Sequence, residues 1–153
     1  MFHEQSPKHP EGEIMYKNIV AGYDGSDRSM RAVEEAADLA TAVGASLHLV
    51  SAVPKKDTIH EIGESSDKRF MSDTEIAADM LKNVASNYSH LNISAKAACG
   101  APAQVLLSEA DEVNADLIIV GNRHVQGISR VLGSVAEDVA QKAPCAVLVA
   151  KTA

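Results

Sequence analysis

The stretch Asp116-Leu117-Ile118-Ile119-Val120-Gly121 sets four aliphatic side chains in a row between an acidic residue and a glycine. A short, purely apolar run of this kind reads as a strand buried on both faces, the usual state of a strand in a parallel sheet covered by helices. The next segment, residues 121–134, holds three glycines and two arginines, and a helical pattern runs from Ser134 to about Lys142. Pro144 breaks that pattern, and Ala146-Val147-Leu148-Val149 makes a last short strand.

Upstream of Asp116 the same alternation repeats. Residues 17–23, with Ile19 and Val20, form an apolar run that stops at the turn signal Asp24-Gly25-Ser26. Val33, Ala36, Ala37, Ala40 and Val43 then recur on one helical face, and Gly44 ends the helix. Residues 46–53 are apolar nearly throughout and make the second strand, closed by Pro54. The charged segment 55–69 carries Gly and Ser and is expected to be a mobile connection. Ser72-Asp73-Thr74-Glu75 has the spacing of a capping box, and Ile76, Met80, Leu81, Val84 and Tyr88 give its helix an apolar face. Residues 93–98 form a weakly marked third strand. Gly100 and Pro102 then precede a helix with Leu106, Ala110 and Val113 turned inward.

Strands alternating with helices in this way imply an α/β fold: an open, mostly parallel, five-stranded sheet with right-handed crossovers and helices on both faces. Ligands of such sheets bind beyond the carboxyl ends of the strands, where strand order reverses. Two segments belong at those ends, Asp24-Gly25-Ser26 and residues 121–134.

The bulk properties narrow the function classes. A chain of 153 residues suits one domain, able to bury a full core without staples. Residues 1–15 are polar, carry Pro7 and Pro10 and lack the apolar core of a secretory signal, so they read as a flexible extension before a domain at 16–153. A net charge of −7 and 3% aromatic residues argue against nucleic acid as partner. No apolar run reaches membrane-spanning length, so no membrane role and a cytoplasmic location are expected. Cys99 and Cys145 sit in apolar sequence without metal or CxxC spacing and are expected to be buried, reduced thiols.

The segment 121–134 has chemistry suited to phosphate. Glycine lets a backbone approach an anion closely, and free N–H groups at a helix start attract it with the helix dipole. Arg123 or Arg130 can add paired contacts. The Gly-Lys-Ser/Thr ending of a Walker loop is absent. A structural reading stands beside this one, because Ser134-Val135-Ala136-Glu137 also has capping-box spacing and would simply start a helix.

Taken in order, IVAGYDGSDRSMRAVEEAADLA, LHLVSAV, ADLIIVGNR and GSVAEDVAQKAPCAVLV resemble the universal stress protein family over residues 16–151. The resemblance implies the sheet order 3-2-1-4-5. It also implies, as in many members, a homodimer through the last strand and ATP bound by a Gly-x2-Gly-x9-Gly-Ser/Thr pattern. Gly121 matches the first glycine of that pattern, and Gly133 with Ser134 matches the closing pair. Asp24 matches the acidic residue near the nucleoside, and Ala52 falls where the family lines its adenine pocket. The sequence departs from the pattern at His124, which stands in place of the second glycine, and eight rather than nine residues separate it from Gly133. Gly127 is the candidate to replace that glycine from a shifted position, and Arg123 the candidate phosphate contact.

The function so implied is a regulatory adenine-nucleotide binding module of the stress response, with ATP as ligand and magnesium as the metal that would accompany its phosphates. The altered loop motivates an alternative, a dimeric interaction module of the same family without nucleotide. An ATP-using enzyme ranks last. Asp24-Gly25-Ser26-Asp27-Arg28-Ser29 only echoes the Ser-Gly-Gly-x-Asp-Ser loop of ATP pyrophosphatases. No partnered carboxylate is apparent that would orient His124 as a base. No catalytic residue or metal ligand is therefore assigned, and slow hydrolysis of bound ATP is the extent of chemistry this reading allows.

Overall fold

The computed structural model describes residues 15–64, 66–122 and 133–151. The apolar run Leu117-Ile118-Ile119-Val120 forms β6 (Leu117–Gly121), buried at four of its five positions. It lies between β1 (Asn18–Gly22) and β7 (Ala146–Ala150) and pairs in parallel with both. On the far side of β1 come β2 (Ser46–Val53) and then β5 (Ile93–Cys99), again in parallel. The sheet order is therefore β5-β2-β1-β6-β7. This is the order expected from the resemblance, with two extra strands counted between the second and third.

Strand alternation divides the core in two. Ile19, Ala21, Leu47, Leu49 and Ile119 face α1 (Asp27–Val43) and α2 (Asp73–Ala85). Val20, Val50, Ile118 and Val120 face α3 (Pro102–Glu112) and α4 (Ser134–Lys142). Each fully buried aliphatic side chain contributes about 1.5–3 kcal/mol. The buried face of α1 is alanine-rich (Ala32, Ala36, Ala37, Ala40), so the helix seats directly on the sheet. It ends where Gly44 adopts φ 77° and donates its N–H to the Ala40 carbonyl at 2.8 Å, a conformation that glycine takes without a Cβ penalty.

Three expectations need correction. The segment 55–69 is not a plain connection: it contains β3 (Ile59–Ile62), which pairs antiparallel with β4 (Arg69–Ser72). Ile59 and Phe70 are each 69% exposed, so no buried face imposes the alternation that would have revealed the hairpin. Its base is tied to α2, because Asp73 accepts the Thr58 N–H at 2.9 Å and lies 2.6 Å from His60 Nε2. Cys99 is exposed rather than buried, since it ends an edge strand, while Cys145 is half-buried. Burial, with Asp116 and Asp111 adding to it, pushes the Cys145 thiol up.

The capping-box reading of Ser134 is the third. Gly133 is the N-cap of α4, with no side-chain cap bond, so Ser134 is the first helical residue and does not cap. The Ser72 box holds in its forward half: Ser72 Oγ accepts the Glu75 N–H at 3.1 Å. Residues 1–14, expected to be a flexible extension, lie outside the described residues.

Candidate functional site

The strand order reverses between β1 and β6, and a cleft of about 290 Å³ opens at their carboxyl ends. Its size is near the lower end of the range for small-molecule sites, roughly 300–1,000 Å³. The apolar walls come from Val50 of β2, Val105 and Leu106 of α3, Val120 of β6 and Val135 of α4. The polar end is built by the β1–α1 turn, with Asp24, Ser26, Arg28 and Ser29. Short sequence spacing alone brings these four together, because α1 starts where β1 stops.

The turn is held by its own side chains. Ser26 caps α1, its hydroxyl accepting the Ser29 N–H at 3.2 Å, and Asp27 in the first turn suits the helix dipole. Asp24 Oδ1 accepts the Ser26 N–H at 2.8 Å and the Ser29 hydroxyl at 2.7 Å. Partial burial pushes the Asp24 carboxyl up, but the bonds from Ser26 and Ser29, with the nearby Arg28 charge, outweigh it. The net result is a carboxyl below the usual range, ionised at neutral pH. Tyr23 anchors the strand end: its N–H donates to the Val50 carbonyl at 2.9 Å, and its carbonyl accepts the buried Ser51 hydroxyl at 2.7 Å.

Of the residues singled out from sequence, Asp24, Ala52 and Gly121 line this one cleft. Gly121 is required there for a packing reason, since a Cβ on it would lie 2.9 Å from the Arg28 carbonyl oxygen. Gly133 and Ser134 are not in the lining among the described residues; α4 contributes Val135 instead. The Gly133 N–H donates to Asn122 Oδ1 at 2.9 Å, which joins the two ends of the 121–134 segment. Arg123, His124, Gly127 and Arg130 lie outside the described residues. Arg28, Ser29 and Val105 were not expected in the site, and Leu106 was expected only in the core. The faint pyrophosphatase echo, which ends on Ser29, was the signal in the sequence that touched it.

A second cavity, about 340 Å³, lies beside α3 and includes Lys96, Gln104, Ser108 and Glu109. Lys96 bridges Glu112 at 2.8 Å and the buried Glu109 at 3.6 Å, so these charges chiefly fasten α3 to the edge strand β5. Among the described residues, no group of three or more His, Cys, Asp or Glu side chains is placed to hold a metal ion, and no helix is long and apolar enough to cross a membrane.

Residues 15–151 match the sequence profile of the universal stress protein family. The chain belongs to that family. Universal stress protein Rv1636 of Mycobacterium tuberculosis is 37% identical over 143 residues, covering 90% of this chain and 97% of the relative. A universal stress protein solved in complex with cAMP is 31% identical and superimposes with a TM-score of 0.68, over 91% of this chain and 99% of that one. The universal stress protein from Archaeoglobus fulgidus in complex with dAMP is 27% identical, with a TM-score of 0.59 over 88% and 98% of the two chains. The fold is thus that of a family with members solved in complex with cAMP and with dAMP.

Proposed function

We propose that this universal stress protein is a regulatory module that binds an adenine nucleotide, ATP included, in the β1/β6 cleft. The observation that carries this reading is the cleft itself: apolar walls ending on an ionised, pre-bonded carboxylate at the switch point of the sheet. Val50, Ala52, Val105 and Leu106 would take the flat apolar faces of the base. Asp24 would accept a hydrogen bond from a ribose hydroxyl or the base amine. The start of α4 and Arg28 would meet the phosphate, with Arg123 and Gly127 as the further candidates named from sequence. When ATP is the ligand, magnesium would accompany its phosphates. The related structures in complex with cAMP and dAMP support the adenine nucleotide class.

The protein in this reading works as a homodimer through β7. That strand ends the sheet beside β6, and Val147, Leu148 and Val149 are only half-buried along its open edge. An apolar edge of this kind is stabilised by pairing with a second copy.

One observation favours the alternative, an interaction module without nucleotide. Asn122 already accepts the Gly133 N–H, one of the donors that a phosphate at α4 would use. Calorimetric titration of the full chain with ATP, AMP and cAMP separates the two. Saturable binding near one nucleotide per chain is the expected result. No heat with any of them at millimolar concentration, and no nucleotide released on denaturing the purified protein, would leave the interaction module standing.

A further inference from the structure

Asp24 is exposed and lies on a turn, where neither strand nor helix constrains its side chain. Its conformation is set from the start of α1, where the N-cap Ser26 N–H and the Ser29 hydroxyl both reach Oδ1, at 2.8 and 2.7 Å. The single Ser29 hydroxyl oxygen accepts the Asp24 N–H at 3.1 Å and donates to Asp24 Oδ1 at 2.7 Å. The proton has a second acceptor in reach, the Ser26 carbonyl at 3.0 Å, but the carboxylate is closer and charged, which makes the stronger bond. Ser29 is not needed as a cap, because Ser26 does that through the Ser29 backbone N–H. Ser29 also lines the cleft. Its hydroxyl accepts the Ser26 hydroxyl at 3.2 Å as well, but its shortest bond is the one to Asp24.

We propose that Ser29 is a positioning residue for ligand recognition: by holding the backbone and Oδ1 of Asp24 together, it keeps the carboxylate in one orientation and leaves Oδ2 as the acceptor for a ribose hydroxyl or base amine. The inference rests on the nucleotide reading above. The electrostatic setting is simple. Arg28 is the other charged group in the cleft lining among the described residues, and Tyr23 the remaining titratable one. From β2, α3, β6 and α4 the lining carries no charge, and α2 brings the Met80 thioether close to Gly25. Removing the Ser29 hydroxyl thus removes one of the bonds that favour the ionised form, with Arg28 left in place.

The test compares wild-type protein with Ser29→Ala and Ser29→Thr. The Asp24 carboxyl is followed by carbon-13 NMR against pH without ligand, and AMP affinity is measured by calorimetry at pH 7. Ser29→Ala is expected to move the Asp24 titration upward and weaken AMP binding about tenfold, the worth of one well-placed hydrogen bond. Ser29→Thr, which retains the hydroxyl, should restore both readouts. An unmoved Asp24 titration in Ser29→Ala would overturn the role, as would wild-type AMP affinity in that variant. Wild-type protein that binds no AMP would instead overturn the nucleotide reading and this role with it.

Discussion

Gly121 meets a structural demand that is independent of any ligand. A Cβ there would press on the Arg28 carbonyl at 2.9 Å, and backbone at a helix start cannot move aside cheaply. At Gly22 the corresponding contact is 3.2 Å, but to Leu106 Cδ2, the far end of a flexible side chain. Gly121→Ala is expected to destabilise by about 1–3 kcal/mol, and Gly22→Ala by clearly less, as read from urea unfolding of each variant. Equal effects would mean that α1 shifts freely against β6. Asp24, Ala52 and Gly121 were legible in the sequence because their types and spacing match a family pattern, and the fold does bring all three to one cleft. Ser29, named in the sequence only within a faint pyrophosphatase echo, was not legible as a site residue, since a serine in the first turn of a helix is commonplace and only the fold shows where its hydroxyl points.

Elements were legible in proportion to how much of them is buried. β6 and β2 stood out because their residues are apolar on both faces, whereas β5 was faint because it is an edge strand with alternating half-exposed positions. The β3–β4 hairpin escaped notice because it has no buried face at all. His48 shows how the edge is joined to the centre. Its ring nitrogens contact Ser94 Oγ of β5 at 2.8 Å and Asn18 Oδ1 of β1 at 3.0 Å, spanning three strands. Burial holds this imidazole below its usual range, with Glu109 pulling the other way. The folded chain therefore favours neutral His48, and the unfolded chain takes up the proton first as pH falls. The stability involved is present above the ordinary imidazole range and is lost as pH drops through the folded value. The half-exposed ring limits this to at most about 1 kcal/mol. Urea unfolding between pH 7 and pH 5 should show stability declining, and His48→Gln should flatten that part of the profile. An identical slope in the variant would assign the decline elsewhere.

At the scale of the whole molecule, one parallel sheet presents two edges and one switch point, and each has its own consequence. The β7 edge is the proposed dimer seam, so light scattering at micromolar concentration should report twice the mass of one chain. Leu148→Asp, which sets a charge on the half-buried strand, should shift that mass toward the monomer. The switch point is the proposed ligand site, and the whole functional reading depends on it. The most direct measurement is an amide NMR titration of the full chain with AMP and with ATP. The expected result is a saturable set of shifts centred on the cleft and the start of α4, among them Gly22, Asp24, Arg28, Ala52, Leu106, Gly121 and Val135, with the outer edge of β5 and the β3–β4 hairpin unmoved. Saturable shifts centred elsewhere, or none at millimolar nucleotide, would contradict the account.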